Sequence, residues 1–291
     1  MDRNDVIKNY LDKKLIGNFK ILKHESLNSH YTGFSKYYRT DVFIKIFPAT
    51  QKKKFITEKA ILFGNKQRYI DSFESLGTYF LVLQDYYLQD IDQKQLDSPR
   101  MIINIANIIK RFHFQNVERF IDFKKSESSD ISQKIEKRIL EIDNSPYLDE
   151  VVRIWKELKK LEYDANQEYN NGKYRVMTHG DFSIRNIKLL DNNPYLIDFE
   201  RVKLDFYFLD FIKFFYIDLN NDDNRVNLFL SKYYKETGFE HISDILKYFL
   251  IFYTSIGIIK YNLFIKDTNF LGSAFRMLND VNSFIEKQGV Q

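Results

Sequence analysis

The sequence predicts an α+β protein in two unequal parts, a small mixed part at the N-terminal end and a larger, mainly helical remainder. Three patterns carry that reading. Up to about Asp85 the apolar residues fall in short runs rich in aromatic and β-branched side chains. Beyond Asp85 they recur at helical spacing. Between residues 179 and 200, the stretch HGDFSIRNIKLLDNNPYLIDFE breaks the helical pattern with two short apolar runs. A chain of 291 residues accommodates such a division. The boundary falls at Asp85, giving parts of residues 1–85 and 86–291.

In the small part, GNFKILKH reads as a strand and ESLNSHYTG as a turn. FSKYYRT and DVFIKIF form a hairpin. KKKFITEKAILFGNKQ reads as a helix ending near Gly64, with Lys52, Lys53 and Lys54 as a solvated turn or helix start. YFLVLQDY is a buried strand followed by a polar connector. In the remainder, Ile102, Ile105, Ala106, Ile109, Phe112 and His113 share one helix face. SQKIEKRILEI and YLDEVVRIWKELKKLEYDANQEYN are amphipathic helices, and the SESSD segment at 126–130 is a loop. Helices resume with FYFLDFIKFFYIDL, beginning near Asp205, and run to the C-terminus. The apolar stretch from Tyr248 to Phe264 is short for a membrane span and contains Lys260, so it reads as a buried helix, apolar on all sides.

Composition narrows the function. Lys and Arg number 44 against 40 Asp and Glu, a net charge of +4 that is too weak to suggest a nucleic-acid partner. Cysteine is absent, so there is no disulfide framework and no thiolate metal site. The opening MDRNDVIKNY lacks a signal-peptide apolar core, and a cytoplasmic protein without membrane attachment is the default expectation. Aromatic residues at 16% suggest an aromatic-rich core and an aromatic-lined pocket.

The residue 179–200 stretch carries the chemistry. NIKLL and PYLIDF are separated by DNNP, a turn-forming sequence, and so form a hairpin. That hairpin brings Asn186, at its start, toward Asp198, near its end, with Asp181 in the connector feeding it. Taken singly, these are a turn aspartate, a hairpin asparagine and a capping aspartate. Together, two carboxylates and a carboxamide are the oxygen ligands a hard cation such as Mg²⁺ takes along with phosphate oxygens. A further carboxylate able to accept a hydroxyl proton completes what phosphoryl transfer needs.

HGDFSIRN, followed by Asp198 twelve residues after Asn186, resembles the motif of the aminoglycoside phosphotransferase and choline kinase superfamily, the protein-kinase-like small-molecule kinases. Gly180 stands where protein kinases carry Arg, and Glu200 where they carry Gly; both departures point to the small-molecule branch. The resemblance implies a two-lobed protein-kinase-like fold, with an antiparallel sheet plus one helix in the N-lobe and a larger, mainly helical C-lobe. It implies ATP, or alternatively GTP, together with Mg²⁺. Asp181 becomes the catalytic base, and Asn186 and Asp198 the metal ligands. His179, which on chemistry alone could be a base, becomes a scaffold residue, as does His113 in IIKRFHF.

The same resemblance assigns Lys45 in VFIKIF to the nucleotide phosphates and Glu58 to its partner, with Glu74 as a rival. Read alone, Lys45 is an edge-strand lysine facing water and Glu58 a solvated helix residue. Gln84, Asp85 and Tyr86 in LVLQDY offer backbone groups to an adenine. No G-x-G-x-x-G is present; Asn28, Ser29, His30 and Gly33 stand in its place, with Ser29 assigned to the nucleotide. Asp205, Asp210 and Glu200 are assigned to the acceptor. Asp218, Asp222 and Asp223 lie near Phe206, Tyr207, Phe211 and Phe215 in sequence, a mixture suited to a cationic ligand. The same helix reads equally as core, the later aspartates as an exposed loop, and Asp210 as an anchor of the catalytic loop. The implied activity is phosphorylation of a hydroxyl on an amino-bearing, aminoglycoside-like compound, with antibiotic resistance as a role, by a monomer or weak homodimer. The alternatives are a choline or ethanolamine kinase and, from another class, a non-catalytic pseudokinase that binds a partner.

Overall fold

The short apolar runs of the N-terminal third pair into a single antiparallel sheet. The computed structural model describes residues 2–22, 29–64, 68–115, 130–265 and 270–289. Helix α1 (Arg3–Lys14) comes first; it is largely polar, and only Ile7 and Leu11 along it are buried. Strands β1 (Lys20–Leu22), β2 (His30–Ser35) and β3 (Thr40–Pro48) follow, then helix α2 (Lys52–Gly64) and strands β4 (Tyr69–Ser75) and β5 (Thr78–Gln84). The sheet order is β1-β2-β3-β5-β4. The HYTG segment, expected in a turn, lies in β2 instead. Tyr31 there is fully buried and sits opposite Ile44, so the side chain holds the segment in the ladder. β3 is a central strand, paired on both sides, with Lys45 opposite His30 and Leu81. Tyr31, Val42, Ile44, Phe80 and Val82 build the core of this sheet with Leu11, Leu15 and Phe19. Gly33 lies inside β2, where an added Cβ would come within 2.9 Å of the Asn18 carbonyl oxygen; close backbone approach accounts for the glycine.

The chain continues through β6 (Gln89–Asp90), α3 (Gln93–Leu96), α4 (Pro99–His113), α5 (Ile131–Leu140), α6 (Leu148–Leu158) and α7 (Glu162–Tyr169). The expected face of α4 is buried from Ile102 to His113. Strands β7 (Arg175–Thr178), β8 (Ile187–Leu190), β9 (Asn193–Leu196) and β10 (Lys203–Phe206) come next. The turn between β8 and β9 is the expected hairpin, with Asp191 and Asn192 both at positive φ, 50° and 61°, as a tight turn requires. Helices α8 (Leu209–Lys213), α9 (Asp223–Tyr234), α10 (Asp244–Ile265) and α11 (Leu271–Lys287) complete the chain, with a π-helical turn at Phe214–Asp218 after α8. Asp205 is not at a helix start; it lies in β10, opposite Val176 of β7. The surrounding run is aromatic on every side, so it has no period to separate strand from helix. α10 contains the apolar stretch, with Phe249, Leu250, Phe252, Ile256 and Ile259 fully buried. Among the described residues, no helix is long and apolar enough to cross a membrane. The loop expected at 126–129 and the position of Asn28 lie outside the described residues.

The described residues divide into two units. The first holds residues 2–90 and Lys188–Val202; the second holds Ile91–Gln115, residues 130–187 and everything from Lys203 onward. The β8–β9 segment, assigned by sequence to the helical part, groups with the N-terminal residues because Lys188 and Leu189 pair with Asp90 and Gln89.

Candidate functional site

In the first unit, the fold assembles a charged cluster from three distant segments. Lys45 is 4% exposed on the central strand β3. A lysine there must find a partner, since an isolated buried ammonium is costly. Its Nζ donates to Glu58 Oε2 at 2.6 Å and to Asp198 Oδ1 at 2.5 Å, with Glu200 Oε2 at 3.5 Å. α2 places Glu58. Asp198 follows β9 in a left-handed conformation, φ 68° and ψ 65°, and the turn Phe199–Arg201 then presents Glu200. A non-glycine residue held in that region costs about 1–3 kcal/mol and persists only where its surroundings fix it. The rival Glu74 is exposed on β4.

Lys54, expected in a solvated turn or helix start, lies in the first turn of α2 and donates to Glu200 Oε1 at 2.7 Å. Its spacing of four residues from Glu58 on α2 was the available signal, since such pairs share a helix face. Burial alone would lower the Lys45 pKa, but Glu58, Asp198 and Glu200 together hold it above its ordinary value. Burial pushes the Glu58 carboxyl up; Lys45 pulls it back, and Asp198 and Glu200 push it up again, leaving it raised. Oxygens of Glu58, Asp198 and Glu200 lie within 4.8 Å of one another, a donor set chemically suited to a hard cation such as Mg²⁺.

The expected adenine segment is also in this unit. The Gln84 N–H donates to the Arg68 carbonyl at 2.7 Å, and Arg68 Nε donates to the Gln84 carbonyl at 2.9 Å. The Asp85 N–H donates to the Asp41 carbonyl at 3.0 Å, and the Asp85 carboxylate accepts from Thr32 Oγ1 at 2.6 Å. Thus Gln84 spends its backbone groups internally, and the expectation narrows to the Asp85 carbonyl and the Tyr86 backbone. The Tyr86 ring lies near Tyr195 and under the Arg68 guanidinium. The Ser29 carbonyl accepts from the Ile46 N–H at 3.1 Å, which fixes it at the entry to β2.

In the second unit, β7 delivers the connector that carries His179, Gly180 and Asp181. Asp210 pins it: its Oδ2 accepts from the His179 N–H at 2.6 Å and its Oδ1 from the Gly180 N–H at 2.8 Å. His113 Nε2 lies 3.0 Å from Asp210 Oδ2, and His113 Nδ1 lies 2.7 Å from the Tyr233 hydroxyl. Gly180 has φ 78°, which suits a residue without Cβ. Asn186 Nδ2 donates to the Asp181 carbonyl at 2.8 Å, and Lys213 Nζ lies 3.0 Å from Asp181 Oδ1. The Ile184 N–H donates to Asp218 Oδ2 at 2.9 Å. Burial pushes the Asp218 carboxyl up to about 6, against the pull of the Ile184 N–H, Arg185 and Lys213. Neither the contact of Lys213 with Asp181 nor that of Asp218 with Ile184 was foreseen. A single lysine inside LDFIKFF was the available signal for the first.

The residues assigned to the acceptor are engaged with other groups of the protein. Asp205 is 1% exposed; its Oδ2 meets Lys203 Nζ at 2.6 Å and its Oδ1 accepts from the Tyr169 hydroxyl at 2.5 Å. Burial would raise its carboxyl, but Lys203 and Lys134 hold it well below the usual carboxylate range. Asp210 is 3% exposed and occupied by the connector it pins, and Glu200 pairs with lysines of the first unit. Phe206, Tyr207, Phe211 and Phe215 are buried core residues, and Asp222 caps α9 by accepting from the Arg225 N–H at 2.9 Å. Of the three residues expected to converge, Asp198 belongs to the first unit, and Asp181 and Asn186 to the second.

Against this geometry, the chain matches the model of the family described as "Phosphotransferase enzyme family" over residues 68–240. No curated protein sequence matches it. Among solved structures, it resembles choline kinase from Cryptosporidium parvum Iowa II at TM-score 0.67 and 14% identity, covering 99% of this chain and 97% of that one. It also resembles choline kinase LicA from Streptococcus pneumoniae at TM-score 0.66 and 15% identity, covering 96% and 99%. A third similar structure is spectinomycin phosphotransferase in complex with ADP and spectinomycin, at TM-score 0.59 and 10% identity, covering 99% and 98%.

Proposed function

Because the chain belongs to the phosphotransferase enzyme family, we propose that it transfers the γ-phosphate of ATP to a hydroxyl of a small amino-bearing molecule. The observation that carries the reading is the buried Lys45 ammonium held between Glu58 and Asp198, which meet from separate segments of the chain. Structural stability alone does not call for such a cluster, because taking several charges out of water offsets most of their attraction. A polyphosphate and its cation give these charges a use.

In this reading, Lys45 contacts the nucleotide phosphates and Glu58 keeps its ammonium in place. The motif assigns Asp198 and Asn186 to Mg²⁺, which when bound would neutralise charge on the phosphates. Asn186 spends its Nδ2 on the Asp181 carbonyl, which reserves its oxygen for that role. Asp181 receives the proton of the acceptor hydroxyl, and Lys213 fixes the orientation of its carboxylate. The adenine meets the Asp85 carbonyl and the Tyr86 backbone. Positioning and charge neutralisation supply most of the rate gain.

An amino-bearing acceptor is supported by the named substrates of similar structures, two being choline kinases and one binding spectinomycin. A choline or ethanolamine acceptor is the second reading on the same support. The deciding experiment measures ATP consumption with Mg²⁺ across aminoglycosides, macrolides, choline, ethanolamine and amino sugars, with Asp181→Asn as the control. Turnover with one class, lost in Asp181→Asn, supports the proposal and selects the acceptor. No turnover with any acceptor, together with no thermal stabilisation by Mg-ATP or Mg-GTP, overturns it in favour of a non-catalytic binding role.

A further inference from the structure

The second unit contains a concentration of cations that phosphoryl transfer does not use. Lys134 and Arg138 lie four residues apart on α5, Arg175 opens β7, and Lys203 opens β10. We propose that these four side chains, gathered around Asp205, form a binding site for a multiply charged oxyanion, a phosphate group on a small molecule or free phosphate.

Charge balance is the first argument. Two of the four cations, Lys203 and Lys134, already contact the one buried carboxylate of the cluster, and that carboxylate is fully occupied. Asp205 takes Lys203 at 2.6 Å, Lys134 at 3.4 Å, the Tyr169 hydroxyl at 2.5 Å and the Phe206 N–H at 2.9 Å. Lys134 also reaches the Tyr169 hydroxyl at 2.5 Å, and the Arg175 guanidinium lies 5.4 Å from the centre of the same ring. Arg175 Nη2 is buried with no hydrogen-bond partner among the described residues. A buried donor left unmade is costly, and a guanidinium fork fits phosphate oxygens in pairs. Arg138 is fixed over the Tyr253 ring at 3.4 Å and donates to the Tyr253 carbonyl at 2.5 Å.

The cations of the cluster are unequally served: despite burial, Asp205 holds the Lys203 ammonium above its ordinary value. Burial, and then the neighbouring Lys203 and Arg175, hold the Lys134 ammonium below its ordinary value despite Asp205. The nearby Glu141 does not make up the balance, because it pairs with Lys260 at 2.9 Å. Access is available, since the Lys203 side chain is half exposed. The proposal does not depend on the catalytic reading, because none of these residues has a role in transfer.

The test is calorimetric titration of the intact protein with inorganic phosphate and with pyrophosphate, against sodium chloride at matched ionic strength. The expected result is binding of both oxyanions, weakened about tenfold or more in Arg175→Gln and in Lys134→Gln, as loss of a charge-assisted hydrogen bond requires. Arg175→Lys should retain part of the affinity. If Arg175→Gln fails to fold, Lys203→Gln is measured in its place, with the same loss expected. No oxyanion binding, an equal response to chloride, or unchanged affinity in the variants overturns the proposal. ATP turnover is not a readout, so failure here is distinguishable from failure of the kinase reading.

Discussion

Replacing Lys45 with Met removes the ammonium that touches both Glu58 and Asp198, and the structure sets the size and pH dependence of the loss. Lys45 and Glu58 have side chains 5% and 3% exposed, and breaking a buried pair by deleting one partner costs about 3–5 kcal/mol. Asp198 is 34% exposed, so solvent screens its share, and Glu200 keeps Lys54 at 2.7 Å. The penalty therefore falls on Glu58. That carboxyl can escape by taking a proton, and since its folded pKa already stands at about 7 in wild type, protonation caps the loss well below that figure. The expected loss is small at pH 5 and about 1–2 kcal/mol at pH 8.

The sign of the pH dependence follows from a folded pKa raised above the unfolded one. In wild type the contribution of Glu58 is fully present below ~4.3 and is lost up to the folded value of about 7, at about 1.4 kcal/mol per pH unit; without Lys45 the folded value is higher and the loss continues above 7. Urea unfolding at pH 5, 7 and 8 measures this for wild type, Lys45→Met, Glu58→Gln and the double variant. Lys45→Met should be worse at pH 8 than at pH 5, and the double variant should recover more than half of the deficit. A deficit that is flat from pH 5 to 8 refutes the reasoning; so does a double variant no better than the single at pH 8.

Three further outcomes are expected. Asp181→Asn should lower turnover by about 10²–10⁴-fold while leaving the thermal shift produced by Mg-ATP unchanged; retained turnover removes the base assignment. Asp198→Ala should abolish the Mg²⁺-dependent part of nucleotide binding in a calorimetric titration; unchanged Mg²⁺ dependence removes the metal assignment. Asp218 has a carboxyl raised to about 6, so wild type loses stability as pH climbs from ~4 through 6, whereas Asp218→Asn, which does not ionise, escapes that loss. The variant should gain about 2–3 kcal/mol on wild type between pH 4 and pH 8; parallel stability curves would contradict the raised value.

Much of this architecture was legible because local signals and tertiary demands agree. The α4 face from Ile102 to His113 was readable because a buried helix stripe repeats every three to four residues. The β8–β9 turn was readable because Asp191 and Asn192 tolerate positive φ. The pairing of Lys45 with Glu58 followed from a resemblance, since nothing local to VFIKIF separates a central strand from an edge one. Other features were hidden for physical reasons. The HYTG segment carries turn-forming residues, and only the burial of Tyr31 against Ile44 makes it a strand. Asp205 sits among aromatics on every side, so strand and helix leave the same trace there. The surroundings of the aspartates assigned to the acceptor were not legible, because sequence shows that a carboxylate exists but not what occupies it. Asp210 accepts two backbone N–H groups, and Asp205 meets Lys203 and Tyr169.

That occupancy would constrain how the proposed amino-bearing acceptor is recognised. Carboxylates usually supply affinity for an ammonium group, but those of the second unit nearest the motif are already engaged. Asp210 holds the connector, Asp218 accepts from the Ile184 N–H, and Asp181 itself lies 3.0 Å from the Lys213 ammonium. An acceptor cation beside Asp181 would be repelled by the Lys213 ammonium, whereas a neutral hydroxyl would not. If Asp181 is the base, as proposed, the arrangement favours the hydroxyl over the amine beside it and pushes any amine recognition elsewhere. Hydroxyl placement becomes the sharper criterion, because a site built to hydrogen-bond a hydroxyl rejects an analogue lacking it far more strongly than a pocket rejects a change in bulk.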